Sequence, residues 1–380
     1  MSSPFVHLRI SAHFFMIFLG FGIFLPFLPL WLTGRGLSAD QIGLVLAAAL
    51  WCKIPVGLGM MQVADQTGQR KTLLIAISLL TLGGVIGFIW LDGFWQHLIG
   101  WTIVGTLLTT MIPMTDSLSV IAVNRHGVDY GKIRLWGSFS FILASTLGGY
   151  YLQGKDSETV LNLLIIAVLL MVIGTACLPN LTQPARSNRN FAIGELLRSP
   201  RTVAFFLTVS IMQASHAGLY GFATLSWQKA GIGNDVIGLL WAVGVMFEIL
   251  LFMFSSRLIS RLGISGMLIV AGLAGMIRWL TLGTTSWVPT LFVVQAMHAL
   301  TFGCCHIAAI TYISRTIPAP LSASAQGLYD GLAMGFLFGV FMLIAGQVYA
   351  HAGDTVFYVM ATLSAVGFIG AIMLKKKQIA

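Results

Sequence analysis

The sequence predicts an all-α membrane protein whose twelve transmembrane helices form two six-helix bundles. Three observations predict it. The 380 residues are 57% hydrophobic and 9% charged, with a mean hydropathy of +0.90, more apolar surface than a soluble domain of this size hides from water. Apolar runs of about 20 residues, enough to cross a bilayer as a helix, recur twelve times. None of them alternates with the period of two expected of barrel strands, and in lipid a spanning helix satisfies its own backbone.

In chain order the runs are roughly 8–32, 41–61, 72–91, 96–120, 133–152, 159–178, 203–228, 236–256, 264–283, 288–312, 326–349 and 355–374. The first is too long for a signal-peptide core and has no small-residue cleavage site, so it is expected to persist as a helix. Lysine and arginine placement sets the expected orientation. With a cytoplasmic N-terminus the outer loops hold only Arg35, Lys155 and Lys229, and Lys53 and Arg278 fall inside runs. The remaining sixteen of the 21 face the cytoplasm, which puts both termini there. The same distribution explains the net charge of +9 as orientation signal and contact with anionic lipid, not affinity for nucleic acid. The four cysteines lie in apolar runs and read as packing residues.

The longest polar interval, Pro179–Arg201, divides the chain into bundles at 1–178 and 203–380, joined by a cytoplasmic loop at 179–202. The halves echo each other. ADQTGQRK (Ala64–Lys71) follows the second run and SRLISRLGIS (Ser256–Ser265) the eighth, about 195 residues on. The fifth run ends LGGYYLQG and the eleventh IAGQVYAHAG. A duplicated six-helix unit is the build of many secondary transporters, with the substrate site near mid-membrane between the repeats. Glycines such as Gly137, Gly148 and Gly149 permit close helix approach.

Within these runs stand Lys53, Asp116, Arg134, Glu248, Arg278 and Asp330, three cations and three anions. A charge at bilayer depth costs roughly 2.5–3.5 kcal/mol on insertion scales, so each is expected to meet a partner or a watered cavity. The central stretch is Met111–Gly137, with Asp116 on one helix and Arg134 opening the next. It reads as a polar site, or alternatively as a structural ion pair. A carboxylate ligand needs a cation not fully committed to a protein acid, and arginine suits it because its planar fork binds carboxylate through two hydrogen bonds. Arg134, Arg278 and Lys53 are the candidates, although Lys53 is equally able to snorkel. His13, His216, His298 and His306 also lie in apolar runs; such histidines relay protons or simply pack. Tyr220, Trp136, Trp227 and Trp241 offer faces for an aromatic ligand or fill space. Cys304, Cys305 and His306 span less than one helical turn and cannot converge on one metal ion. Gly127–Lys132 imitates a phosphate-binding loop but is too short and lacks its Ser/Thr. No nucleophile, metal or cofactor constellation appears, so neither an enzyme nor an ATP-driven pump is expected.

The loop after the second run resembles the signature of the major facilitator superfamily, with Asp65, Gly68, Arg70 and Lys71 in place and Met61 where the first glycine is expected. GIFLPFLPLWL (Gly22–Leu32) resembles the first helix of the lactose permease group. DYGKIRLWGS (Asp129–Ser138), GLYGF (Gly218–Phe222) and TFGCCHIAAITYI (Thr301–Ile313) are closer to bacterial phenylpropionate permeases. The resemblance spans essentially the whole chain. It implies the facilitator fold, a monomer in a bacterial inner membrane, and proton-coupled uptake of a small aromatic carboxylate such as 3-phenylpropionate by alternating access. Symport of a sugar or nucleoside is the alternative. It implies a gating loop at Asp65, Gly68, Arg70 and Lys71, and substrate contacts at Asp116 and Arg134. It implies proton coupling at Glu248, Arg278 and His298. The permease acid three residues past that histidine is Thr301 here, so Glu248, Asp116, Asp330 or a histidine such as His216 must carry the proton instead.

Overall fold

A computed structural model describes residues 3–181 and 193–376. Twelve spans account for the fold: α1 Ser3–Gly34, α2 Ala39–Thr67, α3 Arg70–Gly87, α4 Phe94–His126, α5 Tyr130–Leu152, α6 Glu158–Ala176, α7 Pro200–Lys229, α8 Asn234–Met253, α9 Ser255–Thr284, α10 Val288–Thr316, α11 322–352 and α12 Val356–Lys376. Among the described residues ten stretches are long and apolar enough to cross a membrane, and one of these, Ala319–Lys376, contains both α11 and α12. α5 falls outside that set because its glycine, serine, tryptophan and tyrosine residues dilute it. The chain is an all-α membrane protein. The middle of the expected central loop, with Arg186 and Arg189, and Lys377 lie outside the described residues.

Local chemistry sets the helix ends. α4 runs past its apolar core to His126 and stops at Gly127, whose left-handed backbone (φ 63°) lets its N–H bond Val123 O at 2.9 Å. Two residues on, the Asp129 carboxylate accepts from the Lys132 N–H at 3.2 Å and caps α5. Ser199 caps α7 ahead of Pro200. The repeated loops share a device: Gly68 before α3 (φ 67°) and Gly263 inside α9 (φ 65°) both turn left-handed, 195 residues apart. The second loop differs from expectation, because Ser255 to Leu262 is already helical and α9 bends at Gly263.

By packing, the chain divides into two compact units. Among the described residues, unit 1 holds 3–37, 48–181 and the start of α8, Gly233–Ala242; unit 2 holds 193–232, 243–376 and the start of α2, Ser38–Ala47. Each unit grips its extra segment through facing glycines. In unit 1, a Cβ on Gly238 would collide with Ser145 O, and one on Gly149 with Asn234 O. In unit 2, Gly43 and Gly346 face each other, each with the other's Cα 2.9 Å from where a Cβ would be. Gly43 and Gly238 are 195 residues apart, so the two grips are copies of one arrangement. Gly238→Leu is expected to lower the thermal midpoint of the purified protein by several degrees. Overpacking costs about 1–3 kcal/mol, and each kcal/mol moves Tm by about 2–4 °C in a domain of 150–250 residues. An unchanged Tm in a differential scanning measurement rules the close crossing out.

Unit 1 also has a polar clasp at one end. The Arg35 guanidinium donates to both Glu158 oxygens at 2.7 Å and to Leu91 O at 3.2 Å, with Trp31 Nε1 3.4 Å from the same carboxylate. A residue counted above only as a charge for topology therefore fastens three connections.

Candidate functional site

Asp116 with Arg134, and Glu248 with Arg278, mark two clusters, one in each unit. In unit 1, Asp116 on α4 is half-buried and accepts a hydrogen bond from the Tyr130 hydroxyl at 2.9 Å. Tyr130 opens α5 one turn before Arg134, so the two share a helix face. Arg134 lies within electrostatic reach of Asp116, yet among the described residues it forms no salt bridge. Its guanidinium rests on aromatic faces instead, 4.3 Å from the Phe18 ring centre and 5.5 Å from that of Phe14. Gly137 makes the room, since a Cβ there would stand 2.9 Å from Arg134 Nη1. Beside Asp116, Thr115 meets the buried His13 ring at 3.1 Å, and Thr175 approaches its other nitrogen at 3.4 Å.

The signature loop reaches the same part of α4. Asp65 pairs with Arg70, a buried residue whose Nε donates to Ser117 Oγ at 2.8 Å, next to Asp116 in sequence. Lys71 Nζ donates to Leu178 O at 2.6 Å, and Gly68 supplies the left-handed turn that brings the acid and the arginine together. Lys53 is half-buried on α2.

In unit 2, Arg278 on α9 is fully buried and held by neutral groups: Gln295 Oε1 at 2.7 Å, Thr301 Oγ1 at 2.9 Å and His298 Nδ1 at 3.1 Å. These contacts fix hydrogen positions. A guanidinium only donates, so His298 Nδ1 accepts and its proton sits on Nε2, which faces Glu248 Oε2 at 3.6 Å. The Gln213 carbonyl only accepts, so His216 is protonated on Nδ1 (3.1 Å), and its Nε2 accepts from the Thr301 hydroxyl at 3.0 Å. Thr301 thereby passes a hydrogen bond from Arg278 to His216. His298 thus lies between Arg278 and Glu248, with one ring nitrogen toward each. Tyr220 completes the group, stacked on Phe338 at 5.5 Å and lying 6.2 Å from His216 and 6.4 Å from His298.

The helices carrying this cluster are irregular where they carry it. α7 breaks at Ser215–His216, and α10 makes a π turn over Ala299–Gly303, directly after His298. A second π turn, Leu332–Phe336 in α11, follows Asp330, which is exposed. Such turns insert one residue into a helix and re-aim its neighbours. Gly244 and Gly303 admit close packing of α8 on α10: a Cβ on Gly244 would be 3.5 Å from His298 Cβ, and Glu248 packs over Gly303.

A family model described as the MFS_1 like family matches residues 7–360, nearly the whole chain. The chain belongs to the major facilitator superfamily. Among its relatives in this family is the "Probable 3-phenylpropionic acid transporter" of Escherichia coli (strain K12), 31% identical over 93% of this chain and 94% of its own length. The maltose permease of Geobacillus stearothermophilus is 23% identical over 96% of this chain and 93% of its own. Among solved facilitator structures, that of the nucleoside transporter NupG superposes with a TM-score of 0.86 at 17% identity, covering 98% of this chain and 99% of that one. This likeness shows the facilitator fold. The chain is thus a multi-pass secondary transporter, the class to which these relatives belong.

Sequence reasoning passed over Tyr130, Ser117 and Gln295. Two of these had a readable signal: Tyr130 stands four residues before Arg134 and Gln295 three before His298, helix spacings that share a face. Ser117 had none, because its partner Arg70 arrives from a loop distant in sequence.

Proposed function

We propose that this facilitator is a monomeric, proton-coupled importer of small aromatic carboxylates, 3-phenylpropionate among them. It works by alternating access in a bacterial inner membrane, with both termini in the cytoplasm. The observation that carries this reading is Arg134: a half-buried guanidinium, outside any salt bridge among the described residues, lying against two phenyl rings. A planar carboxylate attached to a phenyl ring complements it, with the fork of Arg134 holding the carboxylate and aromatic faces the ring. The 31% identical relative bears the corresponding name. Arg278, expected from the sequence as a rival, is enclosed by Gln295, Thr301 and His298 and serves here to orient His298. Glu248, facing the His298 N–H, takes the proton; Asp116, Asp330 and His216 are its rivals, and Lys53 and Tyr220 are further ligand contacts. Asp65, Gly68, Arg70 and Lys71 form the gating loop on the cytoplasmic side.

Uptake of labelled 3-phenylpropionate into cells expressing the chain, with and without a protonophore, tests the reading. Accumulation that collapses with the protonophore is expected. Absence of uptake with the protein present in the membrane refutes it, and uptake of maltose or a nucleoside in its place favours the second reading, to which the sugar permease relatives lend support.

A further inference from the structure

We propose that Tyr130 is a positioning residue, whose hydroxyl occupies Asp116 so that Arg134 does not close onto that acid and its guanidinium stays available. The inference deepens the reading of Arg134 as the carboxylate-binding group and rests on it. An acid and an arginine on successive helices, with little water around them, ordinarily form a direct pair of two parallel hydrogen bonds. Here they do not pair, and three structural features explain why. The Tyr130 O–H fills one oxygen of Asp116 at 2.9 Å, and the same hydroxyl lies close to the Arg134 guanidinium, so it faces both charges. The Phe18 and Phe14 faces give the guanidinium an alternative seat. Gly137 leaves that seat open, where any Cβ would press on Nη1. Of the three, only the hydroxyl acts on the acid itself. Asp129, Lys132 and the helix cap lie at the same end of α5, but Lys132 pairs with Asp129, so neither competes for Asp116.

Removing the hydroxyl alone leaves the ring in place and the acid short of a donor. Arg134 is the cation positioned to replace it, and once paired it is withdrawn from any ligand. Tyr130 has no need to touch the substrate for this effect, which separates positioning from binding.

The test reads the guanidinium directly. The purified full-length protein is treated with phenylglyoxal, and modification of Arg134 is followed by peptide mass spectrometry. Tyr130→Phe is expected to slow modification by about tenfold, the effect of a pairing near 1.4 kcal/mol. In the Asp116→Asn background, where no acid competes, the same Tyr130→Phe change is expected to leave the rate unaltered. Equal rates for wild type and Tyr130→Phe overturn the proposal, and so does a slower rate that persists in the Asp116→Asn background. Where Tyr130→Phe alone does not reach the membrane, comparing Asp116→Asn with the double variant still decides, since any difference between them refutes the mechanism. Protection of Arg134 by added 3-phenylpropionate tests the reading of the substrate separately. Its absence counts against that substrate and leaves the labelling comparison intact.

Discussion

Cells carrying Arg134→Gln are expected to lose accumulation of 3-phenylpropionate while keeping normal amounts of the protein in the membrane. A hydrogen bond to a charged group contributes about 1.5–3 kcal/mol, and a bidentate guanidinium–carboxylate contact supplies two of them. Glutamine keeps a donor but loses the charge and the fork, so apparent affinity falls at least ten- to hundredfold. The fold is expected to tolerate the change for a structural reason. Arg134 is half-buried and, among the described residues, in no salt bridge, and Asp116 keeps its bond from Tyr130 when Arg134 is replaced. Arg134→Lys, which restores charge without the fork, is expected to fall between the two. Initial rates against substrate concentration separate the outcomes, and an unchanged KM in Arg134→Gln removes Arg134 from the binding site.

The second large effect is expected at Glu248. Glu248→Gln is predicted to abolish uphill accumulation, holding the internal-to-external ratio near unity, while exchange of labelled for unlabelled substrate across preloaded vesicles continues. The reason lies in the hydrogen-bond order of unit 2. Arg278 occupies His298 Nδ1, so this ring cannot take a second proton without breaking a buried contact, and His298 Nε2–H points to Glu248. Of the pair, the carboxylate is the member able to bind and release a proton in place. A glutamine carbonyl still accepts from Nε2–H and preserves the geometry but has no titrating group. Uphill accumulation by Glu248→Gln passes the proton-carrying role to Asp116 or Asp330. Loss of exchange as well means that Glu248 binds substrate or holds the helices together.

Both predictions depend on distinctions the chain shows only when folded. The sequence identified Arg134 and Arg278 alike as candidate cations, since both are arginines in apolar runs and both match the family pattern. Packing separates them: Gln295, Thr301 and His298 converge on Arg278 from α10, whereas Arg134 has two phenyl rings and the bare face of Gly137. Asp330, placed with the intramembrane ionisable set, lies on α11 with an exposed side chain, where a lipid or a watered cavity can meet it. Thr301 looked like a vacancy where an acid belongs, and in the fold it links Arg278 to His216.

What the sequence by itself determined is the number, type and approximate extent of the spans, together with the loops that repeat between the halves. Lipid enforces that legibility, because each crossing must be about 20 apolar residues and must satisfy its own backbone. Glycine permits the left-handed turns at Gly68 and Gly127, but the folded backbone decides them. The tertiary structure alone decided which polar groups meet. Tyr130 holding Asp116, Arg70 reaching Ser117, and Arg278 fixing the tautomer of His298 are contacts between different helices. They are set by helix rotation, by the break at Ser215–His216 and by the π turn after His298, none of which leaves a period in the sequence.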